Sequence, residues 1–289
     1  MATTIWQGFD ILKRNLEIAA PQGNIISTRQ TNVRTNIAAE MNVLDSFLAG
    51  SYRRNTMIAP LNEVDVDIIV ILDPQYYNGD QNGPANLLDR VKRALQKCYR
   101  ETTEISRNGQ AVTIKFADFS TDVVPAFNRK GSGYLIPDSI LKRWIETDPK
   151  RHIDLWAQAN KTQDGNLVPL IKMIKGWNKC HREFLRSFHL ESLVLSVFSQ
   201  RRIVDFPVAA RDFFQFARFG YQNVSDPAGY GGNIASYLNT HQKLHDVKDR
   251  LDRAFELSTS AVQLQLAGLT EQAFNKWRIV FGDCFPTYG

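Results

Sequence analysis

Cysteine is scarce in this 289-residue chain. Its three copies, Cys98, Cys180 and Cys284, form no C-x-x-C pair and have no histidine at metal-ligand spacing, which argues against a disulfide framework and a thiolate zinc site. They read as reduced, structural thiols. Also missing is any run of about 20 apolar residues, so no membrane span is expected. The opening "MATTIWQGFDILKRNLEIAA" has an amphipathic helical pattern where a signal peptide would be charged, then apolar, then small, and a cytoplasmic location is the expectation. No low-complexity segment, internal repeat or concentrated Lys/Arg block is present. The net charge of +5 has the sign for a polyphosphate or nucleic-acid partner but is mild for this length. The five histidines form no ligand cluster; His241 and His245, one helical turn apart, read as a surface pair.

What remains has the composition of a globular protein, 43% hydrophobic and 22% charged, long enough for one large domain or two lobes. Residues 5 to 20 and about 30 to 47 read as helices, the second from the spacing of Ile37, Met41, Leu44 and Phe47/Leu48. "SFLAGSY" reads as a short strand broken at Gly50. In "VDVDIIVIL" the alternation puts Val64, Val66, Ile68, Val70 and Leu72 on one face and Asp65, Asp67, Ile69 and Ile71 on the other. "ANLLDRVKRALQKCYR" is a helix, "RNGQ" a hairpin turn, and "AVTIKF" and "TDVVPAF" two further strands. From about residue 140 to 155 onward the pattern is almost wholly helical. A mixed lobe over 1–150 followed by a helical lobe over 151–289 is therefore expected, an α+β protein.

The chemistry starts from a cost. A carboxylate removed from water needs a cation, a proton or solvent, and "DVDIIVIL" runs two into an otherwise apolar strand. Asp65 and Asp67 point the same way because they are two residues apart. Asp122 heads the apolar "TDVVPAF" in the same manner, and three oxygen ligands favour Mg²⁺ or Mn²⁺ over zinc. Gly50 and Ser51 precede the first pair at a turn where a phosphate could approach backbone and hydroxyl. Each fragment alone is commonplace: D-x-D is often a solvated edge, and Gly-Ser a turn. In order and combination they describe a phosphate cradle beside three carboxylates.

The pattern Gly50-Ser51-x₁₃-Asp65-x-Asp67, followed by Asp122 in "TDVVPA", resembles the polymerase-β-like nucleotidyltransferases, specifically the cGAS/DncV-like enzymes (CD-NTases) of bacterial CBASS anti-phage signalling. "LVPLIKMIKGWNK", "FHLESLVLSVF", "VSDPAGYGGNIA" and "WRIVFGDCFP" resemble the helical-lobe elements that this family shares with oligoadenylate synthetases. The resemblance implies a nucleotidyltransferase lobe with a small mixed sheet plus a helical lobe, with the active site in the cleft between. It makes Asp65, Asp67 and Asp122 the metal-binding and catalytic triad, with Asp122 as base for the acceptor hydroxyl. Ser51 would hold donor phosphates beside Gly50, and Lys175 and Ser192 match the family's triphosphate contacts. Helix periodicity places Lys172, Lys175 and Lys179 on one face, ordinarily a solvated one, and adds Lys172 as a candidate. Tyr52, Tyr134 and Tyr237 could stack on a base, though each reads more simply as packing.

The activity so implied is Mg²⁺-dependent joining of ribonucleoside triphosphates into a cyclic di- or trinucleotide messenger, two ions being expected, with a downstream effector answering to the product. Transfer to RNA or a small molecule is an alternative in the same reaction class, and a catalytically silent nucleic-acid-binding relative is one outside it. The diffuse charge leans away from a nucleic-acid activator. Gly289, ending "FPTYG", resembles the tails that some bacterial members offer to an E1/E2-like conjugation partner.

Overall fold

The computed structural model describes residues 2–18, 22–63, 65–99 and 104–289; Val64 and Arg100 lie outside the described residues, as do residues 19 and 20 of the first expected helix. The chain forms two compact units, one of Ile18–Asp154 and one that joins Met1–Glu17 to Leu155–Gly289. Helix α1 (Ile5–Asn15) is thus part of the helical unit, although the sequence grouped it with the mixed lobe. Its N-terminus is closed by a capping box: Thr4 accepts from the Gln7 N–H, and the Gln7 side chain accepts from the Thr4 N–H. What draws α1 there is Phe9, whose ring lies 5.0 Å from Trp277, 5.7 Å from Phe281 and 5.3 Å from Phe285. No lone amphipathic pattern reveals which lobe will receive its apolar stripe.

In the mixed unit, α2 (Gln22–Ala38) is followed by strand β1 (Val43–Leu48) and the four-residue helix α3 (Gly50–Arg53). The helix expected over about 30 to 47 therefore stops at Ala38. Ile37 and Met41 are buried as its period requires, but Leu44 is 47% exposed, and residues 43 to 48 instead pair antiparallel with the next strand. That strand is β2 (Asp65–Leu72). Helix α4 (Gly83–Cys98), β3 (Ile105–Asn108), β4 (Ala111–Lys115), β5 (Ser120–Asn128), β6 (Tyr134–Asp138) and β7 (Arg143–Thr147) complete the unit. The sheet runs β1-β2-β5-β4-β3, with β6 on β5 and β7 on β6; β2 and β5 are parallel and the other pairs antiparallel. "RNGQ" forms the β3–β4 turn, with Gly109 at φ +58°.

The alternation in β2 sorts its side chains as its sequence demands. Ile68, Val70 and Leu72 enter a core with Val33 and Ile37 of α2 and with Leu87, Leu88, Val91 and Leu95 of α4. Ile69 and Ile71 enter another, with Ala49, Val124, Ala126, Tyr134 and Ile136. Asp65 and Asp67 share the parity of this second set, and β2 is a strand anchored on both faces with acids only at its first turn of the pleat.

Helix α5 (Pro149–Thr162) spans the boundary at 154, and α6 (Leu167–Cys180), α7 (Ser187–Val197), α8 (Phe206–Gly220), α9 (His241–Leu266) and α10 (Thr270–Phe281) build the helical unit. Every residue of α6 from Leu167 to Asn178 is buried. The helical period put Lys172 and Lys175 on a face away from the apolar stripe, ordinarily a solvated one, and they are instead 4% and 6% exposed. Between α8 and α9, the Asp226 carboxylate organises "SDPAGYGG" by accepting from the backbone N–H groups of Ala228, Tyr230 and Gly231. No helix among the described residues is long and apolar enough to cross a membrane.

Candidate active site

The site is built on the only parallel strand pairing among the described residues. In β2–β5, Asp65 lies opposite Ser120, Val66 opposite Thr121 and Asp67 opposite Asp122. Asp67 and Asp122 are thus direct neighbours, one strand spacing of about 4.8 Å apart, and Asp65 is one pleat back on the same face. All three expected acids come together in this way. Each sits where its strand begins, so the apolar remainder of β2 and β5 fixes the backbone beneath it.

Gly50 belongs to the same construction. The N–H of Ala49 donates to the Asp67 carbonyl at 2.9 Å, which ends β1 beside the acids and delivers the chain into α3. Gly50 has φ +60°, a left-handed conformation that costs a side-chain-bearing residue about 1–2 kcal/mol. A methyl group there would also fall 1.6 Å from Asp67 Oδ2. Glycine is required twice over, by the turn and by the carboxylate lying against it. Ser51 follows half-exposed, its carbonyl accepting from the Thr56 N–H at 2.9 Å.

On its other side Asp122 faces Thr113 of β4, whose hydroxyl donates to Asp122 Oδ1 at 2.5 Å. Burial pushes the Asp122 carboxyl above the ordinary carboxylate range; the Thr113 hydrogen bond pulls it down, and the Asp65 charge pushes it up again. Thr113 is absent from the motif-based expectations, but the sequence held a signal for it. Lys115 and Ser120 close the four-residue "FADF" loop, and counting two residues outward from each reaches Thr113 and Asp122.

The donor set fits a divalent cation: three carboxylates, oxygen only, on one face, with Asp122 raised in pKa by burial and, less, by the Asp65 charge. Among the described residues no three His, Cys, Asp or Glu side chains are gathered tightly enough to hold a metal ion as they stand. Asp122 is turned to Thr113 and Asp67 to Gly50. Rotation about side-chain torsions, with no change of backbone, is enough to converge groups on adjacent register positions.

Beside α3 is a cavity of about 490 Å³ lined by Phe47, Arg53, Gln30 and Lys150 among others. The Lys150 ammonium lies 4.5 Å from the Phe47 ring centroid and 5.9 Å from that of Tyr134. Tyr134 itself is 8% exposed and packs on Phe47, so it is core. Tyr52 packs beside Ile26, Met57 and Val66.

The remaining candidates belong to the helical unit. Lys172 Nζ pairs with Glu17 Oε2 at 2.6 Å, and Lys175 Nζ with the fully buried Glu191 Oε1 at 3.3 Å. Ser192 follows Glu191 on α7, and its hydroxyl is buried with no hydrogen-bond partner. Tyr237 donates or accepts at His189 Nδ1, 2.9 Å away, and accepts from the Arg186 N–H. Gly289 is exposed, and its N–H donates to the Ala2 carbonyl while Tyr288 forms a parallel bridge with Ala2.

In fold, the chain is similar to Escherichia coli MS115-1 CdnC, solved with ATP (TM-score 0.77, 16% identity, 97% of this chain and 98% of that one). It is also similar to the Bradyrhizobium diazoefficiens CD-NTase CdnG, solved in complex with GTP (TM-score 0.75, 14% identity, 96% and 95%). At these identities the likeness is one of fold. The model of the Second Messenger Oligonucleotide or Dinucleotide Synthetase domain matches residues 1–160, more than half the chain, which therefore belongs to that family of nucleotidyltransferases. In sequence it is 29% identical to a cyclic AMP-AMP-AMP synthase of Acinetobacter sp., over 83% of this chain and 72% of that one. It is 28% identical to a probable cyclic nucleotide synthase of Bacillus cereus, over 83% and 81%.

Proposed function

We propose that the protein joins ribonucleoside triphosphates into a cyclic di- or trinucleotide and does so in the cytoplasm, as the signal-making arm of an anti-phage response. The observation that carries this reading is the register of Asp67 with Asp122, with Asp65 on the same face and Gly50 beneath the Asp67 carboxylate. The defence setting is supported by likeness to CBASS oligonucleotide cyclases of Escherichia coli, 26% identical over 52% of this chain.

In this reading Asp65, Asp67 and Asp122 hold Mg²⁺, two ions in full occupancy, with Mn²⁺ as a substitute. Bound there, the ions neutralise phosphate charge and make the acceptor hydroxyl more acidic. The protein's own part is positioning. Gly50 lets a triphosphate approach the backbone, Ser51 offers a hydroxyl to its oxygens, and Asp122 takes the proton of the attacking hydroxyl. Thr113 biases Asp122 toward the carboxylate form. Lys175 supplies positive charge to the triphosphate while Glu191 fixes its ammonium, and Lys172 and Ser192 act in support. Because attack on an α-phosphate is chiefly a matter of geometry and charge, the set needs no covalent nucleophile.

Incubation with the four triphosphates and Mg²⁺, with no other acceptor, tests the reading. A phosphatase-resistant cyclic product supports it. Label that enters only added RNA or a small-molecule acceptor moves the protein to another branch of the class. Gly289 is kept as the point of conjugation by an E1/E2-like partner, and that reaction requires Tyr288 and Gly289 to leave Ala2 first; conjugate formation that persists when Gly289 is deleted rules it out.

A further inference from the structure

The helical unit contains a second polar cavity, of about 360 Å³, at the ends of α6 and α10 and along one face of α9. It is lined by Arg182, Arg250 and Arg253, with His181 and Cys180 beside them, and its apolar wall includes Leu257 and Val280. Residues 250, 253, 254 and 257 follow the i, i+3, i+4, i+7 spacing, so α9 turns a single stripe of cation and hydrocarbon inward.

No carboxylate lines this cavity. Among the described residues none of the three arginines is in an ion pair with Asp or Glu. Arg250 is partly spoken for: its guanidinium donates to the His181 carbonyl and stacks 4.6 Å from the Phe184 ring centroid. His181 in turn donates through Nε2 to the Val280 carbonyl at 3.1 Å. The ends of two helices oppose the arginine charge, yet each contributes only about half a negative charge. Three guanidiniums outweigh that sum, and like charges around one cavity repel until an anion enters. Arg182 and Arg253 are exposed with their forks uncommitted, and a guanidinium fork matches a phosphate with two parallel hydrogen bonds.

We infer that this cavity is a binding site for a small phosphate ester of nucleotide size, its phosphate held by Arg182 and Arg253 and its apolar body against Leu257 and Val280. The volume is within the roughly 300–1,000 Å³ of ordinary ligand pockets, and a wall that is part hydrocarbon suits an organic phosphate better than the bare ion. Arg250, fixed in place by His181, sets the position of the phosphate from the floor. None of these residues is among those proposed above for nucleotidyl transfer.

Equilibrium dialysis of AMP against the full chain in EDTA reads this site with the metal-dependent one silenced. AMP binds saturably, pyrophosphate competes, adenosine does not, and Arg182→Gln/Arg253→Gln weakens AMP binding by about tenfold or more. Asp65→Asn/Asp67→Asn leaves it unchanged. Both arginines are exposed, so the double variant keeps its melting temperature. The inference is overturned if wild-type protein shows no saturable binding of AMP, if the arginine variant binds it as wild type does, or if adenosine competes as well as pyrophosphate. Loss of AMP binding in the aspartate variant alone would assign the ligand to the carboxylate face and overturn it too.

Discussion

A methyl group on Gly50 would lie 1.6 Å from Asp67 Oδ2, so the turn before β2 and the second acid on it occupy one another's space. Two motif fragments fifteen and more residues apart in sequence thus form one object. The serine that follows the glycine is positioned relative to the carboxylate by that contact, through a hydrogen bond from Ala49 to the Asp67 carbonyl.

Gly50→Ala tests this contact. The substitution imposes a left-handed conformation on alanine and pushes the Asp67 carboxylate aside. An ångström-scale displacement of a catalytic group costs about a hundredfold in rate. Nucleotidyl transfer is expected to fall by about that factor, while the melting temperature drops by only a few degrees because the strain is about 1–2 kcal/mol. Unchanged turnover would mean that the Asp67 carboxylate does not need the space that Gly50 leaves it.

Thr113→Val removes the hydroxyl that donates to Asp122 and leaves a side chain of similar volume. That hydrogen bond lowers the Asp122 pKa against burial, so its loss raises the pKa further. In the proposed mechanism the reaction needs the carboxylate, so activity is expected to be lost as pH falls through the folded-state pKa. The acid limb of the rate profile is therefore expected to move to higher pH in the variant, with the alkaline limb unmoved. A profile that merely scales down would show that Thr113 acts by packing alone.

Lys175 and Glu191 separate structure from binding. Lys175→Met leaves the fully buried Glu191 carboxylate without this cation, a loss worth about 3–5 kcal/mol. Adding Glu191→Gln is expected to restore most of the thermal stability and none of the triphosphate affinity. Recovery of KM along with the melting temperature would reduce Lys175 to a structural role.

His189 supplies a pH dependence of stability. Burial lowers its pKa to about 4 from 6.5, so between those values the unfolded chain binds a proton that the folded one refuses. The stability is present above pH 6.5, is lost as pH falls toward 4, and loses nothing further from this group below that. The loss is on the order of 3 kcal/mol. Denaturant melts at pH 7 and pH 5 are expected to show about 2 kcal/mol of it, and His189→Phe is expected to flatten the difference.

The acids were legible because a charged residue in a β-branched strand is a local anomaly that alternation resolves into a face. Their partner Thr113 required the β4–β5 register, which only loop counting supplies. Strands β6 and β7 were not among the expected elements, for a physical reason. The apolar letters Ile140 and Leu141 are 75% and 55% exposed at a turn, while the β6 and β7 strands around them are short and interrupted by Pro137. The lysines of α6 could not be placed from periodicity, since the glutamates that allow their burial, Glu17 and Glu191, come from α1's end and α7. Ion pairs between distant segments leave no spacing in the sequence.

The central claim is that Asp65, Asp67 and Asp122 form one catalytic face that makes a cyclic nucleotide. Mass spectrometry of the products formed from ATP, GTP, CTP and UTP, with wild type beside Asp67→Asn and Asp122→Asn, tests it most directly. The account predicts a cyclic di- or trinucleotide from wild type and none from either variant, both of which still melt as folded proteins. A cyclic product from Asp67→Asn or Asp122→Asn at the wild-type level would contradict it.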